Sequence, residues 1–280
     1  LVACLLVVAA RVEAEPKTVK ALMIGNSYSR GTLPRLKGFF DADPKFQLEL
    51  TAVTPGGRQL VQHARNPDTV MRIDQEKWDF VLLQDQSMTP SLAYREYQQS
   101  AVKRSFADWA QAQVNQGDDG IQSKFPGIAA KFWAGGTFLS ERIAKRPGAT
   151  IIYFCTWARA ADESNAALKN YPGKTAADRA KTMLKFNNLA YAALQEKFAG
   201  RGKVAPVGDA WAESLRRKPD ARLHAGDGSH GNSMGYYLAG AVLYQSISGT
   251  SPASNKYEGG LPAESAAFLR QVAAETKQPK

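Results

Sequence analysis

The sequence predicts an α/β protein: a three-layer α/β/α sandwich in which helices cover both faces of a five-stranded parallel sheet. Three observations carry this. Five β-rich runs alternate with segments of helical composition, as successive right-handed βαβ crossovers require. Most of those runs are continuously apolar, the pattern of strands covered on both faces. Finally, the 280 residues are 44% hydrophobic and 22% charged, with no Pro/Gly/Ser-rich linker to divide them, which fits one globular domain and excludes a disordered, collagen-like or disulfide-stapled chain.

In chain order the strands are expected at residues 19–25, 46–53, 78–84, 149–156 and 203–207. The second differs from the rest, because Phe46-Gln47-Leu48-Glu49-Leu50 alternates apolar and polar as a half-exposed edge strand does. Helical composition marks residues 33–40, 59–64, much of 94–145, 176–198, 233–248 and 262–275. The interval 90–148 is longer than a crossover needs and has a loop signal at Asn115-Gln116-Gly117-Asp118-Asp119-Gly120, so it reads as an insertion able to shape substrate choice. In a parallel sheet of the flavodoxin-like order 2-1-3-4-5, the site is expected beyond the carboxyl ends of the strands, at the switch point.

Residues 1–14 predict a compartment. The run Leu1-Val2-Ala3-Cys4-Leu5-Leu6-Val7-Val8-Ala9-Ala10 is too short for a membrane span, and Val12-Glu13-Ala14 has the small-x-small form of a signal-peptidase site. The expectation is a signal peptide truncated at its start, a single domain over 15–280, and a periplasmic or secreted bacterial address; Leu1-Val2-Ala3-Cys4 as a lipobox and the run as a buried strand are the alternatives. Removal of residues 1–14 takes away one base, Arg11, and one acid, Glu13, leaving the formal charge at +10. Such a balance favours an acidic partner. Cys155 would then be the one remaining thiol, and its apolar strand context reads as a buried small hydrophobe.

The chemistry gathers at strand ends. Gly25-Asn26-Ser27-Tyr28-Ser29 follows the first strand, where a Ser on a strand-to-helix turn exposes its hydroxyl while its own N–H faces a developing oxyanion. Ser and Asn at such turns also serve simply as caps. Near the other end, Asp227-Gly228-Ser229-His230 puts an Asp three residues before a His, a spacing that lets the carboxylate orient the imidazole. Of the three histidines, 63, 224 and 230, this is the one with such a partner, although His224 lies close enough to compete. After strands two and three come Gly56-Gly57, able to offer an unobstructed backbone N–H, and Gln84-Asp85-Gln86-Ser87, able to offer a side-chain amide.

Read together, these blocks resemble the SGNH/GDSL hydrolase superfamily, whose Gly-Asp-Ser, Gly, Gly-x-Asn-Asp and Asp-x-x-His blocks run in this order. The resemblance spans about residues 19–250 and is nearer still to a bacterial subset with Gly-Asn-Ser and Gln-x-Gln-Ser, a Thr-Trp after strand four (Thr156-Trp157) and a Pro-Val-Gly before a helix (Pro206-Val207-Gly208). It implies Ser27 as nucleophile, His230 as base, Asp227 as its orienting partner, and an oxyanion hole of the Ser27 N–H, the Gly57 N–H and the Gln86 amide, with Gln84 or Gly56 as alternative donors. Two departures stand: Asn26 replaces the usual Asp, and Gln replaces both Gly and Asn of the third block.

No nucleotide motif is present: residues 25–31 lack Gly-x-Gly-x-x-Gly, and Leu168 stands where a P-loop before Lys174-Thr175 needs its first Gly. No metal spacing and no cofactor is implied. Basic residues are scattered without an aromatic-interleaved stripe, which argues against a nucleic-acid partner, and no later run approaches a membrane span. The expected function is hydrolysis of acyl esters, acetyl foremost, on a small molecule or polysaccharide; the competing reading is a secreted glycan-binding or scaffolding protein on the same fold without turnover.

Overall fold

A computed structural model describes residues 15–115 and 119–278. The signal-peptide and lipobox readings of residues 1–14 lie outside the described residues. The chain runs β1 (Lys17–Ile24), α1 (Ser27–Asp41), β2 (Phe46–Val53), α2 (Leu60–Ala64), α3 (Pro67–Gln75), β3 (Phe80–Leu83), α4 (Thr89–Gln99), α5 (Phe106–Val114), α6 (Ile128–Ala144), β4 (Thr150–Phe154), α7 (Ala176–Lys197), β5 (Gly202–Ala205), α8 (Val207–Arg217), α9 (Ser233–Ser248) and α10 (Ala263–Glu275). The sheet is five-stranded, parallel at every pairing, and ordered β2-β1-β3-β4-β5.

Burial explains the continuous apolar runs. In β1, Val19, Ala21 and Met23 enter one hydrophobic layer while Leu22 and Ile24 enter the other, and in β4 Ile152 and Phe154 oppose Ile151 and Tyr153. Because successive side chains point to opposite faces, a strand buried on both must be apolar throughout. The first layer is closed by α1, α8, α9 and α10 through Leu36, Phe39, Trp211, Leu243 and Leu269. The second takes its bulk from the interval 90–148, whose Phe106, Trp109, Phe132 and Trp133 pack with Tyr191 of α7. β2, at an edge, keeps its alternation of half-buried and exposed residues.

Helix α1 starts six residues earlier than its composition suggests, at Ser27. Gly31 and Pro34 weaken the helical signal there, yet Asn26 caps the helix, its Oδ1 accepting the Tyr28 N–H at 3.2 Å. That shift matters, because it makes Ser27 the first helical residue.

Candidate active site

The turn from β1 into α1 is braced on every side. A Cβ on Gly25 would overlap Ser29 Oγ and stand 2.8 Å from Gln84 Oε1, so only glycine fits. The Gly25 carbonyl accepts from His63 Nε2 at 2.8 Å. Asn26 is buried: its N–H donates to Gln84 Oε1 at 3.1 Å and its Nδ2 to the Arg58 carbonyl at 3.0 Å. Ser27, half-buried, follows with its hydroxyl facing outward from this braced turn.

The structure brings Ser27, His230 and Asp227 together. Ser27 Oγ lies 2.8 Å from His230 Nε2, and His230 Nδ1 lies 2.6 Å from Asp227 Oδ2. Asp227 Oδ1 accepts the N–H groups of Ser229 and His230, both at 2.9 Å, so the carboxylate also shapes the loop that carries the histidine. The His230 side chain, foremost, and these N–H groups hold the Asp227 carboxyl down at about 2. His224 is placed elsewhere. Its Nε2 lies 2.9 Å from the Ala158 carbonyl, its ring edges onto Trp211, and burial lowers its pKa.

The donors expected for an oxyanion hole separate clearly. As the first residue of α1, Ser27 has an N–H with no acceptor within the helix. Gly57, exposed and at φ 66°, has no hydrogen bond on its N–H among the described residues. Gly56, also exposed, sits under Arg30, whose Nη2 is 3.5 Å from where a Cβ would stand. Gln84 is fully buried and consumed: Oε1 accepts from Asn26 N and from Ser29 Oγ at 2.8 Å, and Nε2 donates to the Asp85 carbonyl. Gln86 is half-buried, its Oε1 pinned by the Met88 N–H at 2.9 Å, and its Nε2 meets no partner among the described residues. Asp85 ties the two donor loops to each other, with Oδ1 accepting from Leu60 N at 3.2 Å and Gln86 N at 2.6 Å.

Residues beyond the blocks support this arrangement. Trp211, Trp157 and Tyr28 form a stack, with ring centroids at 4.0 and 4.7 Å, and the Tyr28 ring lies 5.1 Å from that of His230. Trp157 Nε1 and Tyr28 Oη donate to the Ser229 carbonyl at 2.9 and 2.7 Å, fixing the residue before His230. Arg159 donates to Tyr28 Oη and Ser229 Oγ. In the sequence Thr156-Trp157 is visible only as part of a resemblance, and Arg159 carries no signal, since these contacts join residues about 70 to 200 positions apart. A cavity of about 650 Å³ opens behind the loop, lined by Asp227, His224, Asn165 and Arg222 but by neither Ser27 nor His230.

No protein-family model matches the chain, and no curated protein does. Solved structures do. A DUF4886 family protein from Bacteroides uniformis superposes with a TM-score of 0.67 at 19% identity, covering 92% of this chain and 94% of its own. Axe2, an acetylxylan esterase from Geobacillus stearothermophilus, gives 0.50 at 13%, covering 83% and 95%. LAE5, an α/β hydrolase from the metagenome of Lake Arreo, gives 0.50 at 12%, covering 84% and 96%. At these identities what the chain has in common with an acetylxylan esterase and with an α/β hydrolase is the fold.

Proposed function

We propose that the protein is a serine esterase of the SGNH type, removing short acyl groups, acetyl foremost, from carbohydrate. The observation that carries this is the unbroken chain of contacts from Ser27 Oγ to His230 Nε2 at 2.8 Å and from His230 Nδ1 to Asp227 Oδ2 at 2.6 Å. In neutral His230, Nδ1–H donates to Asp227, leaving Nε2 to accept the Ser27 proton. The alkoxide attacks the ester carbonyl. The oxyanion of the tetrahedral intermediate is held by the Ser27 N–H, the Gly57 N–H and Gln86 Nε2, and imidazolium returns its proton to the departing alcohol. Water, activated by the same imidazole, then clears the acyl-enzyme. The free Nε2 of Gln86 and the full internal use of Gln84 favour Gln86 as the side-chain donor. Acetyl specificity draws on the fold in common with an acetylxylan esterase, and a secreted or periplasmic address, from residues 1–14, belongs to the same proposal.

A serine-reactive phosphonate tests it directly. Labelling is expected at Ser27, with parallel loss of aryl-acetate hydrolysis, and Ser27→Ala is expected to lower kcat by several orders of magnitude with little change in Tm. An unlabelled protein without hydrolytic activity gives the case to a binding module without turnover, and a Ser27→Ala variant as active as the parent overturns Ser27 as the nucleophile.

A further inference from the structure

Three arginines lie on the segments that follow β1, β2 and β4, next to the neighbours of Ser27. Arg30 lies in the first turn of α1, three residues after Ser27 and so on the same helix face; it is exposed, and its Nη2 reaches over Gly56. Arg58 directly follows Gly57, and its carbonyl is bound to the side chain of Asn26, the neighbour of Ser27. Arg159 is hydrogen-bonded to Tyr28 and Ser229, the neighbours of Ser27 and His230, with Cζ 5.9 Å from the Tyr28 ring centre.

Among the described residues none of these three makes an ion pair; the arginines that do, Arg142, Arg179, Arg216 and Arg217, all lie on α6, α7 and α8. Asp227 is already engaged, taken by His230 and by two backbone N–H groups, and Asp85 is buried, with Oδ1 held by the Leu60 and Gln86 N–H groups. Arginines without a carboxylate partner therefore stand on the segments that border the serine. Guanidinium groups are planar forks that match a carboxylate through paired hydrogen bonds, and they remain charged at every working pH.

We propose that the substrate carries its own carboxylate: an O-acylated acidic sugar of the uronate class, whose carboxylate is held by Arg30 and Arg58 while the ester faces Ser27. Arg159, already bonded to Tyr28 and Ser229, adds long-range attraction and holds the rim. This rests on the esterase reading for turnover, but the charge recognition itself does not need turnover. A neutral acylated sugar would leave the Arg30 and Arg58 forks without a counter-charge.

The test uses one acetylated polyuronate oligosaccharide in two forms, the free acid and the form in which its carboxyl groups are methyl-esterified. Affinity is measured by calorimetry on the Ser27→Ala protein, and acetate release on the parent protein. The free acid is expected to bind about tenfold tighter or better, with the preference shrinking as salt is raised. Arg30→Gln and Arg58→Gln are each expected to shrink the acid-to-ester preference about threefold, chiefly through Kd and KM. Arg216→Gln, at an exposed side chain near the end of α8, is expected to leave the preference intact. Equal affinity for the two forms overturns the proposal whether or not acetate is released, as does a preference that Arg30→Gln and Arg58→Gln leave unchanged. Tight acid binding with no acetate release from either form would instead overturn the esterase reading and leave the recognition standing.

Discussion

At Asn26 one nitrogen atom distinguishes this chain from the Gly-Asp-Ser pattern it resembles. Nδ2 donates to the Arg58 carbonyl while Oδ1 caps α1, so the residue needs both a donor and an acceptor. An aspartate keeps the cap and loses the donor, setting a buried carboxylate against a carbonyl oxygen. Asn26→Asp is therefore expected to cost about 1–3 kcal/mol, read as a shift in the urea midpoint, and to lower kcat as the loop bearing Gly57 loosens. The two glutamines behave oppositely for a comparable reason. Gln86→Ala, which removes a free amide, is expected to reduce kcat about a hundredfold with little change in KM or Tm. Gln84→Ala, which leaves Asn26 N–H and Ser29 Oγ without their acceptor, is expected to lower Tm first. The reverse result would move the amide donor two residues back along the chain.

At the scale of elements, the histidine loop is closed by a single antiparallel bridge between His224 and Gly231 and takes further rigidity from outside. The Trp211-Trp157-Tyr28 stack belongs to the first hydrophobic layer, and two of its members hold the Ser229 carbonyl of the loop. Trp157→Phe keeps an aromatic ring in the stack and removes the Nε1–H donor. The expected outcome is a several-fold fall in kcat with Tm lowered by only a few degrees, because Tyr28 Oη still holds that carbonyl. Loss of folding, or full activity, would each show that the stack does not act through Ser229. The same logic explains Gly208, whose added Cβ would strike Thr156 O at 2.6 Å: the Pro-Val-Gly block brings α8, and with it Trp211, close against the end of β4.

Across the whole molecule, two buried ionisable groups beside the site oppose each other. Burial holds His63 at about 4, against its usual value near 6.5. Between those values the unfolded chain takes up a proton that the folded one refuses, so this group makes stability rise with pH toward 6.5. Burial raises Asp85 to about 7. Between about 4 and 7 the folded chain keeps a proton that the unfolded one loses, so stability falls as pH rises through that window. Each effect is on the order of 3–4 kcal/mol, and their slopes have opposite sign. The parent protein is thus expected to show nearly level stability from pH 5 to 7. His63→Gln should become less stable at pH 7 than at pH 5, and Asp85→Asn less stable at pH 5 than at pH 7, both read from urea midpoints. A parallel pH response in the two variants would refute the opposition.

Layer architecture was legible in the linear order because burial on both faces leaves a local trace, a run without polar interruption, as in Ile151 to Cys155. The edge position of β2 left one too, in its alternation. Block spacing likewise marked Ser27, Asp227 and His230 as candidates, since the Asp227 to His230 contact spans only three residues. What the sequence left open were choices between near neighbours, His224 against His230 and Gln84 against Gln86. Those depend on which side-chain atoms find partners from other loops. Ala158 and Trp211 engage His224, while Asn26 and Ser29 consume Gln84. A strand period of two puts residues 84 and 86 on one side alike, and no local pattern separates them. Only the parallel sheet, by setting the ends of β1, β3 and β4 side by side, brings those partners within hydrogen-bonding reach.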